Sequence, residues 1–244
     1  MSLAQELAAF LAEPEHGDPF KPAAWEPLEN FTLRYRREFE AIKGGILRRH
    51  VFDKAQDNTL RGIWWALVWG YPGGKQAGDD KTLKRAMVNM ESLAHEVDWL
   101  RKETPDAAEL LERLNQCRRG LSTASTTKVA YFAGLNTAQG KALIFDQQAI
   151  IAILTRGDPE FAPLLASKPF AKHAHRSRKD RVNVALQQPA HYQEYVAHLH
   201  ALAAQLGVKP DDIERFLYMK GRKVRRAEGV VQAKITRAQN KLAA

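Results

Sequence analysis

Cysteine is all but absent from this chain of 244 residues, where Cys117 stands alone. A single thiol excludes a disulfide framework, a four-cysteine zinc site and an iron–sulfur cluster held by this chain alone. It also makes a reducing cytoplasm the default compartment. Long apolar runs are missing as well: none approaches the roughly 18 residues that span a bilayer, and mean hydropathy is −0.43. The opening Met1 to Leu11 has no basic head and no small-residue cleavage site, so it reads as an amphipathic helix rather than a secretory signal. No segment alternates convincingly at period two. Negative charge is in short supply too, with 28 Asp and Glu against 37 Lys and Arg, for a formal charge of +9. That excess favours a polyanionic partner through counterion release and long-range attraction. No stretch joins a basic face to a deep apolar one, so nucleic acid is expected and a membrane surface is not.

What is present is helical periodicity. Asp57 to Gly70 sets Leu60, Ile63, Trp64, Leu67 and Val68 on one face, and Trp64, Trp65 and Trp69 read as core. Asp80 to Lys102 is a long amphipathic helix. Thr104-Pro105-Asp106 opens another, with Thr104 as N-cap and Pro105 at the first helical position. Gln116 to Ser125 reads as a polar, basic turn, Thr127 to Gly134 as a short helix, and Asp146 as the N-cap of the helix that follows. His173 to Arg181 reads as a solvent-exposed basic loop. Helices resume over Pro189 to Leu206 and Pro210 to Met219. The expected class is all-α, about ten helices in one unit of two lobes with a cleft between them. Residues 51–145 form the central lobe, 1–50 with 146–221 the second, and 222–244 a basic C-terminal helix or tail.

The stretch that carries chemistry is Ser122 to Ile150, STASTTKVAYFAGLNTAQGKALIFDQQAI. Lys128 falls in the first turn of the short helix as read from the sequence, where the positive helix end disfavours an ammonium and lowers its pKa. A lysine so tuned can act as an amine nucleophile and form a Schiff base. Asp146 heads the next helix, and a turn between two antiparallel segments brings both helix starts to one side.

TTKVAYF followed by FDQQ resembles the catalytic segment of the helix-hairpin-helix DNA glycosylases, in particular the 8-oxoguanine glycosylase branch. The resemblance implies that Lys128 attacks C1′ of a flipped-out nucleotide and that Asp146 stabilises positive charge on the sugar. It implies a base pocket made by Phe132, four residues after Lys128, and by Glu214 and Tyr218 within PDDIERFLY. Glu214 takes the position that reads the Watson–Crick edge, and Tyr218 that of the stacking aromatic. Ala55-Gln56-Asp57-Asn58-Thr59 resembles the segment inserted into the vacated stack, which implicates Gln56 and Asn58. Where the family carries a glycine hairpin, this chain reads Gly120-Leu121-Ser122-Thr123-Ala124-Ser125. Phosphate contacts are therefore expected from Arg118, Arg119, Ser122, Thr123, Ser125 and Thr126, with the helix N-terminus.

The implied activity is excision of an oxidised or modified purine such as 8-oxoguanine, with strand cleavage, by a monomer that needs no metal and no organic cofactor. The expected partner is duplex DNA carrying the modified purine, or else single-stranded DNA or RNA. The alternatives are an N-glycosidase acting on another modified purine, RNA or a nucleoside, as in bacterial antiphage defence, and a non-catalytic nucleic-acid-binding protein. His173-x-His175 sits among cations and His198-x-His200 at i, i+2 of a helix, so neither pair suits a metal. If phosphates dominate the affinity, DNA binding falls steeply as salt is raised. Replacing Arg118 and Arg119 with Ala weakens binding equally across sequences, because phosphate contacts do not read bases. Titrations of two unrelated duplexes at several salt concentrations check both.

Overall fold

Caps decide where most of the elements begin. The computed structural model describes residues 1–15, 17, 19–21, 35, 37–71, 90–117, 121–174 and 187–224. Helix α1 (Leu3–Ala12) opens on a reciprocal cap between Ser2 and Gln5. Helices α2 (Arg48–Asp57) and α3 (Thr59–Gly70) share Asn58, whose side chain accepts from the Arg61 N–H at 2.9 Å. Helix α4 is Met90–Leu100 and α5 is Ala107–Cys117. Asp106, not Thr104, caps α5: its Oδ1 accepts from the Glu109 N–H at 2.8 Å, and the Pro105 carbonyl is taken by the Ala138 N–H. Helix α6 (Thr123–Phe132) is capped by Ser122. A two-residue hairpin follows, β1 (Asn136–Thr137) against β2 (Gly140–Lys141), and then α7 (Gln147–Arg156), capped by Asp146. After a 3₁₀ turn (Pro159–Phe161) come α8 (Ala162–Ala166), α9 (Lys168–Ala174), α10 (Pro189–Leu206) and α11 over 210–224. The class is all-α, as the periodicity implies, and the small hairpin is the sole β pairing among the described residues.

The buried core runs without a break from Leu3 to Leu217, with Ile63 to Val68 of α3 fully enclosed. Helix α1 is tied to the other end of the chain. Its Glu6 carboxylate pairs with Arg156 of α7 and Lys220 of α11, and Phe10 packs edge-on against Phe216 at 5.7 Å. Helix α10, expected with 146–221, packs against α5 of the central segment. Arg118, Arg119, His175 to Arg181 and the tail beyond 224 lie outside the described residues.

Helices α2 and α3 meet at Gly62, where an added Cβ would sit 2.4 Å from Ala55 Cα. The contact is with backbone, so one helix must move to admit a methyl. Gly62→Ala is therefore expected to destabilise the fold by about 1–3 kcal/mol despite the better helix propensity of alanine. Urea unfolding of the variant beside the wild type checks this.

Candidate active site

All ten residues of α6 are buried, including Thr123, Ser125, Thr126, Thr127 and Lys128. A buried hydroxyl must find a partner, and that of Thr127 finds two. It donates to the Ala124 carbonyl at 3.2 Å and accepts from the Phe145 N–H at 3.0 Å. The extended stretch 142–145 thus lies along α6 without belonging to a sheet. Other side chains satisfy more of its backbone. The Tyr192 hydroxyl donates to the Leu143 carbonyl and accepts from its N–H, and the Tyr195 hydroxyl donates to the Ile144 carbonyl. Because residue 127 is fixed opposite 145, the next residue of each segment also meets. Lys128 Nζ donates to Asp146 Oδ2 at 2.8 Å. The other carboxylate oxygen, Oδ1, caps α7 by accepting from the Gln148 N–H at 2.9 Å. One aspartate thereby holds a lysine and starts a helix.

The lysine's electrostatics reverse the sequence expectation. Lys128 is 5% exposed. Burial alone draws its pKa down, but the charge of Asp146, with smaller contributions from Tyr71 and Tyr218, outweighs that, and the ammonium is pushed up to about 12. The helix end adds no lowering of its own, because α6 begins at Thr123 and Lys128 stands in its second turn, where the helix-end field has faded. The ammonium also lies 5.8 Å from the centre of the Tyr71 ring, whose hydroxyl bonds Ser125 Oγ at 2.7 Å. Gly70 presses on the stem of Lys128: a Cβ there would lie 3.0 Å from Lys128 Cδ.

Lys128 opens onto a cleft of about 850 Å³, mouth included, walled by Trp69, Gly70, Tyr218, Met219 and Arg48, with Phe10, Glu13, Glu15, Arg215 and Arg222 at its sides. Tyr218 thus shares the cleft with Lys128. Phe132 does not reach it. It is 2% exposed and packs beneath Trp69, ring centres 5.1 Å apart, with Phe52 and Tyr131 on its other sides. Glu214 is 1% exposed and stands behind Arg48, Oε2 to Nη2 2.7 Å. Burial raises its pKa against the opposing pull of Arg48. The hydroxyls expected to meet phosphate are turned inward. Thr123 donates to the Gln187 carbonyl and Thr126 to that of Ser122, while Ser122 and Ser125 bond each other at 2.9 Å. Gln56 and Asn58 are exposed where α2 meets α3, apart from the cleft, and Asn58 serves as a cap. Sequence reasoning missed Arg48 and put Trp69 in the core. Trp69 carried a signal, a position one residue before the helix-ending glycine, whereas Arg48 opens α2 with none.

Among the described residues no group of three His, Cys, Asp or Glu is placed to hold a metal ion, and no helix is long and apolar enough to cross a membrane. A family model described as "Putative 8-oxoguanine DNA glycosylase OGG-like protein" matches residues 12–218. No curated protein and no solved structure matches the chain.

The Lys128 ion pair sets a pH dependence. Its folded pKa stands above the ordinary 10.5 of a lysine, so its contribution to stability is fully present below about 10.5 and is lost as pH rises toward about 12. Lys128→Met is thus expected to be less stable than the wild type at neutral pH, by a gap that narrows across that alkaline window. Denaturant unfolding of both proteins at a series of pH values measures it.

Proposed function

The chain belongs to the OGG-like family, and from that premise we propose that it is a DNA base-excision glycosylase with an associated strand-cleaving activity, acting on an oxidised or modified purine. The observation that carries this reading is the 2.8 Å contact between Lys128 Nζ and Asp146 Oδ2 on the wall of a cleft that also holds Trp69 and Tyr218. A buried amine beside a carboxylate is the equipment for covalent attack on a sugar carbon, and aromatic walls suit an unstacked base. The lining of the cleft draws on 51–145 through Trp69, Gly70 and Lys128, and on 1–50 and 146–221 through Arg48 and Tyr218. That is consistent with two lobes closing on a flipped-out nucleotide.

Lys128 rests protonated, so attack requires the ammonium to lose its proton first. The acceptor within reach is Asp146 Oδ2. The neutral amine then attacks C1′, and the C1′–N9 bond breaks with its electron pair leaving on the base. The proton held by Asp146 passes to that base, which restores the carboxylate. As the C1′–O4′ bond opens, its electron pair leaves on O4′ and one of the two protons on the bound nitrogen passes to that oxygen, which gives a cationic Schiff base facing the Asp146 charge. Loss of a C2′ proton breaks the C3′–O3′ bond and the strand. No metal or organic cofactor enters any of these steps. The inward-turned hydroxyls of 122–126 favour a second reading, in which a single strand or RNA is the substrate, since the segment offers a duplex backbone few side-chain donors.

Lys128→Gln keeps length and much of the hydrogen bonding but lacks the nucleophile. Borohydride adducts and strand cleavage are expected to vanish while binding to the substrate oligonucleotide survives. Asp146→Asn retains a cap, yet base release is expected to slow by about 10²–10³-fold through loss of the charge. Gel assays against a panel of oligonucleotides, each with one modified purine, measure both. Full strand cleavage by Lys128→Gln would falsify the mechanism.

A further inference from the structure

Arg48 is the least expected member of the cleft. It is 7% exposed, and its guanidinium is held from several sides. Nη2 lies 2.7 Å from Glu214 Oε2, and Nη1 donates to the Tyr131 hydroxyl at 3.2 Å. That hydroxyl donates in turn to Asp211 Oδ2 at 2.9 Å. Cζ stands 5.4 Å from the centre of the Trp69 ring and 5.2 Å from that of Tyr131. A buried ion pair contributes little net stability, since desolvation consumes most of the attraction. Stability therefore gives little reason for this pair, and Glu214 Oε1 has no hydrogen-bond partner among the described residues. What the pair does achieve is a cationic donor, held by Glu214 and Tyr131, in the lining of a cleft whose reactive amine is Lys128.

We infer that Arg48 reads the substrate base, donating to a carbonyl oxygen on the purine edge remote from the glycosidic bond, with Glu214 as its positioning residue. This rests on the glycosylase reading above and deepens it. With C1′ at Lys128, the part of a purine that reaches furthest is its C6 and N1 edge. A guanidinium donates and never accepts. It therefore pairs with the O6 of a 6-oxopurine and opposes the N6 amine of a 6-aminopurine, donor against donor. The roles suggested by the sequence are redistributed: Glu214 acts through Arg48, and the base meets the arginine. Discrimination of about tenfold to a hundredfold follows from one well-placed arginine contact in a desolvated pocket.

The test uses two duplexes that differ at the decisive edge, one with 8-oxohypoxanthine and one with 8-oxoadenine, both as 2′-fluoro nucleosides that resist cleavage. The wild type is expected to bind the first about tenfold to a hundredfold more tightly. The double variant Arg48→Met with Glu214→Met removes both charges, so no buried ion is left unpaired, and it is expected to lose the preference. Arg48→Lys, which keeps the charge but not the fork, is expected to reduce the preference and serves if the double variant fails to fold. Glu214→Gln is expected to weaken the preference without abolishing it, which a purely structural role would not do. Equal binding of the two duplexes by the wild type, or an unchanged preference in Arg48→Lys, overturns the assignment. Borohydride trapping of the wild type at a preformed abasic site needs no base recognition. Absence of that adduct overturns the lysine mechanism and leaves the base-reading result to be judged on the binding data.

Discussion

The hydrogen bond from the Phe145 amide to the Thr127 hydroxyl is the constraint on which the cleft depends. It lies wholly inside the protein, where leaving either group unpaired costs about 1–3 kcal/mol, and it has no alternative partner in water. It fixes the register between a helix and an extended segment eighteen residues away. Everything chemical then follows by adjacency. The next residue on each side is Lys128 or Asp146, and their side chains meet because their neighbours already have. The two tyrosines of α10 reinforce the same register by bonding both backbone groups of Leu143 and the carbonyl of Ile144. A helix far along the chain thus holds the Lys128–Asp146 geometry without lining the cleft.

Among the described residues two cations, Lys128 and Arg48, are buried, and each is held by a carboxylate, Lys128 by Asp146 and Arg48 by Glu214. The similarity ends there. The lysine pair is reversible by proton transfer, since an amine without its proton is a stable species and a nucleophile. The arginine pair is not, because a guanidinium stays charged through any accessible pH. One pair can therefore perform chemistry, and the other can only present a fixed pattern of donors. Lys128 and Arg48 line a single cleft, together with Trp69 and Tyr218.

Much of this was legible in the sequence where a helix has one wet face and a cap. Asp146 as N-cap and the span of α10 from Pro189 to Leu206 are as the spacing implies. Helix α6 was misread at its start for a physical reason. It is enclosed on all sides, so it has no polar face to contrast with an apolar one, and its buried positions are filled by Thr123, Ser125, Thr126 and Thr127. Hydroxyl-rich sequence usually signals a turn. Here each hydroxyl replaces an external partner with an internal one. The helix starts four residues nearer the N-terminus, which takes Lys128 out of the helix-end field and leaves the charge of Asp146 to outweigh burial and raise its pKa.

The pocket residues show why resemblance places a close lysine–aspartate pair better than it places the lining of a cleft. Lys128 and Asp146 are tied by covalent neighbours to a hydrogen-bonded register, which any chain sharing that register must reproduce. Glu214 and Tyr218 share a face of α11 by their i, i+4 spacing, but a shared face does not decide depth. What stands in front of each does. Arg48, brought in by the start of α2, covers Glu214, whereas Tyr218 lines the cleft. In the same way Trp69 of α3 lies over Phe132. Both coverings come from residues more than fifty positions away in the chain, on helices whose packing is set by Gly62 and the α2–α3 contact. The lining of this cleft is therefore a property of how α2 and α3 lie on α6 and α11, and a change at a helix crossing can reshape it without touching Lys128.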